Sequence, residues 1–106
     1  MDGGRPEPAR RILEVEVKQN PGNWEALCHL GIALAMQGRI DEAATRFAES
    51  TRSKPDYAPA YYNLGLAREK QGRDAEAIAA YERSLQLEPE NRDSRANLAR
   101  VLARRH

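Results

Sequence analysis

Cys28 and His29 stand side by side in a 106-residue chain that holds one cysteine and two histidines. A thiol next to an imidazole is the pairing that a nucleophilic site, or half of a metal site, would need. Successive residues on a helix point about 100° apart, however, so the two side chains would not face each other. No second cysteine supplies metal-ligand spacing, and the other histidine, His106, is the last residue. The Gly-Arg phrases at Gly4, Gly38 and Gly72 lack the Gly-x-x-x-x-Gly-Lys run of a phosphate loop. Neither enzymatic chemistry nor a metal or other cofactor is expected, and Cys28 reads as packed or as lining a binding surface.

Charge is the other candidate chemistry. Residues 92–106 carry five arginines (Arg92, Arg95, Arg100, Arg104, Arg105) against Asp93, while the chain as a whole is +1. Such a run could attract an acidic peptide or nucleic acid. It lacks the interleaved aromatics on which bases stack, so nucleic acid is not the expected partner. Arginines near a helix C-terminus also favour the dipole and solvate an exposed end.

The elements that position these residues follow from composition and period. Hydrophobic residues are 41% of the chain, aromatics 6% and charged residues 31%, an alanine-rich profile that favours helices. No apolar run approaches the roughly 20 residues of a membrane span. The opening MDGGRPEPARR has no apolar segment after its arginines, which speaks against a secretory signal. With its lone cysteine, the chain is expected in a reducing, cytoplasmic setting, although an exported protein trimmed ahead of Met1 would look the same.

LGIALAMQGR at residues 30–39 returns as LGLAREKQGR at 64–73, and Pro21, Pro55 and Pro89 keep the same interval of 34 residues. A fixed period of this size marks a stacked array whose units bury their apolar faces against neighbours. Within each unit an amphipathic stretch (Leu27, Leu30, Leu34; Tyr61, Leu64, Leu66) runs to a glycine, Gly38 or Gly72. A second stretch follows through Ala43, Ala44, Phe47 and Ala48, or Ala77, Ile78, Tyr81 and Leu85, and must stop before Pro55 or Pro89. Asn23 precedes the first hairpin as a candidate N-cap, and Trp24 is expected to cover the joint behind it.

These residues resemble the tetratricopeptide repeat family. Leu27, Leu30, Gly31, Leu34, Ala43, Phe47, Ser50 and Pro55 follow its signature in one copy. Tyr61, Leu64, Gly65, Arg68, Ala77, Tyr81, Ser84 and Pro89 follow it in the next. Arg68 departs where a bulky apolar residue is usual, and Ser50 and Ser84 replace the commoner alanine. The resemblance implies an all-α, right-handed superhelical array of antiparallel helix hairpins, an alpha solenoid, here of six helices in a single domain over residues 1–106. Gly31 and Gly65 are expected to face Ala43 and Ala77 of their own hairpins, with Phe47 and Tyr81 filling the space between hairpins.

By the same resemblance the first helices of the hairpins line a concave groove that holds a peptide segment of another protein. The groove residues carried over are Cys28, His29, Ile32 and Met36, then Tyr62, Asn63 and Leu66, then Asn97, Arg100 and Arg104. Ile32, Met36, Tyr62 and Leu66 would be apolar anchors, Asn63 and Asn97 would fix a ligand backbone, and Arg100 and Arg104 would select acidic character. The family's carboxylate clamp for heat-shock chaperone tails is not expected. Cys28 and Ile32 stand where it needs Lys and Asn, and Asp93 and Asn97 where it needs Lys and Arg.

The array is out of phase with its termini. Residues 4–23 read as a second-type helix (about Ala9–Gln19) without a first-type partner, ahead of repeats at 24–57 and 58–91, and residues 92–106 read as a first-type helix with nothing after it. The last helix is read as a solvating cap. The alternatives are self-assembly, in which the orphan helices of two chains pair, and truncation of a longer array.

Overall fold

The computed structural model describes residues 6–105; the Gly4–Arg5 phrase and His106 lie outside the described residues. Six α-helices follow one another: α1 (Pro6–Gln19), α2 (Trp24–Met36), α3 (Ile40–Ser53), α4 (Ala58–Lys70), α5 (Asp74–Leu87) and α6 (Arg92–Arg104). Among the described residues there is no strand, and no helix is long and apolar enough to cross a membrane. α1 begins three residues before the expected Ala9. Pro6 and Pro8 occupy its first turn, where an absent N–H costs nothing because that donor has no helical acceptor.

The stops and starts are those the turn residues demand. Gly38 and Gly72 end α2 and α4 with φ of 79° and 77°, the left-handed region that a side chain disfavours. Asn23 caps α2, its Oδ1 accepting from the Ala26 N–H at 3.1 Å, and Asn91 does the same for α6 through Ser94 at 3.0 Å.

α2 packs on α3 and α4 on α5 as antiparallel hairpins, and each helix also packs on the next in sequence. The close approach inside a hairpin differs from expectation. A Cβ on Gly31 would lie 2.5 Å from Phe47 Cε1, and one on Gly65 2.6 Å from Tyr81 Cε1. The glycines therefore receive the faces of aromatic rings, while Ala43 and Ala77 are sealed beside them. Phe47 also packs with Ala60 and Ala67 of α4, so one ring serves both its own hairpin and the next.

The two serines are not weakened alanines. Ser50, fully buried, donates from Oγ to the Trp24 carbonyl at 2.8 Å, and Ser84 Oγ shares a 2.8 Å bond with Ser94 Oγ across α5 and α6. Each supplies a bond at a place where buried polar groups must be paired. Arg68 lays its stem inward and extends its guanidinium to Glu76 at 3.2 Å and Gln71 at 3.0 Å.

Successive repeats are also stitched at matching places. Gln37 Nε2 donates to Glu7 at 2.7 Å, and one period later Gln71 Nε2 donates to Asp41 at 2.8 Å. In the third joint the role passes to Arg104, which donates to Asp74 at 2.9 Å. The chain's two ends leave apolar side chains uncovered: Ile12 is 71% exposed, Val15 56% and Leu102 41%.

Candidate functional site

α2 touches α4 directly, and no pair among α1, α3 and α5 makes a comparable contact. α2 and α4 therefore approach each other on the inner face, while α1, α3 and α5 stand apart on the outer one. Two hollows open along the inner face. One, of about 200 Å³, is lined by Ile32, Ala35, Met36, Ile40, Asn63 and Leu66, with Phe47, Ala67 and Lys70 completing it. The other, of about 410 Å³, is lined by Leu66, Glu69, Lys70, Asp74, Arg100 and Arg104, with Gly72 at its edge.

The hollows are the same concavity one period apart. Ile32, Ala35, Met36, Ile40 and Leu66 in the first correspond, 34 residues on, to Leu66, Glu69, Lys70, Asp74 and Arg100 in the second. The backbone repeats while the chemistry changes from apolar to charged. Leu66 and Lys70 line both, so the two hollows adjoin at a shared wall and together make up one trough along the inner face.

Of the expected groove residues, the structure brings Ile32, Met36, Asn63 and Leu66 to the first hollow and Arg100 and Arg104 to the second. Met36 is 60% exposed. His29 is exposed without lining either hollow, and Tyr62 leans on Tyr81 with ring centroids 6.3 Å apart. Cys28 lies beneath the floor at 1% exposure and offers no contact surface. Burial raises its thiol pKa to about 11, so the thiol is protonated at neutral pH. Among the described residues no three His, Cys, Asp or Glu side chains gather into a metal site.

Asn63 donates from Nδ2 to the Pro59 carbonyl at 2.9 Å and touches Cys28 Sγ at 3.8 Å. Asn97 accepts from Arg100 Nη1 at 2.8 Å.

The arginines are engaged inside the chain. Arg100 Nη2 donates to both Glu69 oxygens at 2.7 Å, and Arg104 donates to Glu69 at 3.1 Å and to Asp74 at 2.9 Å and 3.2 Å. Tyr81 adds its hydroxyl to Glu69 at 2.9 Å. Burial pushes the Glu69 carboxyl up, and the bonds from Arg100, Tyr81 and Arg104 more than offset it, leaving its pKa lowered. Asp74 is lowered chiefly by its bond from Arg104. Asp74 and Ile40 escaped the sequence reading because they belong to second-type helices. They share one repeat position immediately after the Gly-Arg turn, which is the signal that could have found them.

The model of the tetratricopeptide repeat family matches residues 1–58, 37–92 and 62–105. The chain belongs to the tetratricopeptide repeat family. No curated protein matches it closely enough to lend an activity. Among solved structures this tetratricopeptide protein is similar to MamA, with TM-score 0.94 and 28% identity over 99% of this chain and 61% of that one. It is also similar to YrrB, a TPR protein with an unusual peptide-binding site, with TM-score 0.78 and 26% identity over 95% of this chain and 49% of that one. The first TPR of Spaghetti (RPAP3), bound to the HSP90 peptide SRMEEVD, shares the fold at TM-score 0.93 and 22% identity, covering 97% of this chain and 82% of that one.

Proposed function

We propose that this chain is a protein-interaction scaffold that holds a peptide segment of a partner protein along the trough formed by α2, α4 and α6. The observation that carries the reading is the pair of hollows one period apart, apolar then charged, joined through Leu66 and Lys70. An apolar side chain of the ligand sits between Ile32, Met36 and Leu66, and Asn63, whose Oδ1 is unbonded among the described residues, meets the ligand backbone. The peptide-binding site of YrrB supports this mode of action.

The charge selection differs from the one the sequence suggests. Arg100 and Arg104 are neutralised by Glu69 and Asp74, whereas Lys70 has no ion-pair partner among the described residues and fronts both hollows. We infer a ligand with an acidic group beside its apolar anchor, drawn to Lys70. The arginines and Asn97 shape the far wall.

A panel of labelled short peptides, each pairing one apolar residue with Asp or Glu, tests this by fluorescence anisotropy. Met36→Asp should weaken the peptides that bind by about tenfold, a loss of ~1.4 kcal/mol, and Lys70→Glu should weaken the acidic ones selectively. Binding that neither variant alters, with helix content intact, overturns the reading.

A further inference from the structure

We propose that the outer face of α6 is a docking surface for α1 of a second copy of this chain, so that copies join head to tail and the repeat continues across the junction. This rests on the two ends of the fold and is independent of the trough.

The helix boundaries keep the register. α3 starts four places after α2 ends, and α5 four places after α4 ends. Counting three periods of 34 residues, Pro6 of a following copy falls four places after Arg104, where α6 ends. An α1 supplied by a neighbour therefore occupies the place that α3 and α5 occupy inside the chain.

The side chains fit that register. Leu13 of the incoming α1 takes the position of Phe47 and Tyr81, and Ala99 of α6 takes the position of Gly31 and Gly65. Inside the chain a glycine admits a ring at a distance that would forbid a Cβ. At the junction the acceptor has gained a methyl and the inserted side chain has lost its ring, so the volumes compensate. Tyr81 meets Glu69 inside the chain; in the same place at the junction Leu13 meets Ala103, a polar pair exchanged for an apolar one. Ser50 reaches back to the Trp24 backbone, and the matching junction pair is Glu16 and Arg92, of opposite charge.

The exposures measure what the junction would cover. Leu102 is 41% exposed, while Leu34, in the same repeat position, is 3% exposed because α3 covers it. Ile12 is 71% exposed, while Ala80, two periods on, is 5% exposed behind a complete preceding hairpin. Leu13 already packs partly on α2 and, like Phe47, has a second side to offer. The contact is heterologous, so it yields an open filament, or a ring if the superhelix closes on itself.

Light scattering and sedimentation velocity on the full chain over a wide concentration range test the proposal. Mass should climb with concentration. Leu102→Glu and Ala99→Trp change side chains exposed in the single chain, so folding is retained. Each should raise the concentration at which half the chains are joined by roughly tenfold or more. Arg92→Glu and Glu16→Arg should each weaken joining alone, and an equimolar mixture of the two variants should regain it. A mass that stays at one chain throughout overturns the proposal, as does a rising mass that Leu102→Glu and Ala99→Trp leave unchanged.

Discussion

Gly31→Ala isolates the contact on which the hairpin depends. The added methyl would lie 2.5, 2.7 and 2.9 Å from three atoms of the Phe47 ring. Carbon atoms rest about 3.5–4.0 Å apart, so the ring must retreat by roughly 1 Å. It has little room: Phe47 is 2% exposed and is walled by Ala44 and Ala60, which are 1% and 0% exposed. Overpacking of this kind costs about 1–3 kcal/mol. Removing a glycine from a helix interior returns about 1 kcal/mol. The balance is a net loss of about 0–2 kcal/mol, toward the upper end because the ring has little room to retreat.

Phe47→Leu alone leaves a small void and should cost about 1–2 kcal/mol, less than truncation to alanine. Together the two changes relieve each other, and the double variant should be more stable than the sum of the singles by about 1 kcal/mol or more. Urea denaturation followed by far-UV circular dichroism reads all three differences. The matching change, Gly65→Ala, should cost more than Gly31→Ala, because the Tyr81 ring it displaces is tied through its hydroxyl to Glu69 at 2.9 Å. A stabilised Gly31→Ala, or strict additivity in the cycle, would show that the ring yields freely and refute the reasoning.

Glu69→Gln should loosen α6 by removing the charge that Arg100 and Arg104 share, a loss of about 1 kcal/mol because both arginines are partly solvated. Faster amide exchange confined to α6 and the end of α4 would display it, and unchanged α6 protection would count against it. Acid should act on the same contacts. Glu7, held at about 2 chiefly by Arg10, and Glu69 and Asp74, also lowered, contribute stability above their ordinary values of 4.5 and 3.8 and lose it as pH falls through their folded values. The thermal midpoint should drop as pH is lowered from 4.5 towards 2, and a flat midpoint across that window would contradict the assignment. Cys28, buried with its pKa raised to about 11, should react with a thiol reagent only as fast as the chain opens, and labelling as fast as a free thiol would show the floor to be open.

The hairpins were legible in the sequence because their determinants are local and repeated. Gly38 and Gly72 end helices by backbone conformation alone, and the prolines bar their continuation. The trough was half legible. Ile32, Met36 and Leu66 follow from helix periodicity, but the state of Arg100 and Arg104 does not. Each could point to solvent or to a carboxylate about 30 residues away, and only the packed fold brings Glu69 and Asp74 within reach. Ser50 and Ser84 looked like substitutions for alanine, since a backbone carbonyl 26 residues upstream leaves no mark on composition. The paired Gln37 and Gln71 were visible as repeated letters, and their use became visible only beside Glu7 and Asp41.

The stitching bonds have a consequence for how such a chain can change in length. Gln37 to Glu7 and Gln71 to Asp41 are one joint written twice, with donor and acceptor both carried in the repeated segment. A tandem duplication of residues 24–57 would bring its own acceptor for the repeat that follows and its own donor for the one before. The copied glycine would meet the copied ring. Gain or loss of the 24–57 unit therefore preserves these two joints, whereas an insertion of any length other than a multiple of 34 breaks the register at one of them. The unit that packs is also the unit that can be inherited.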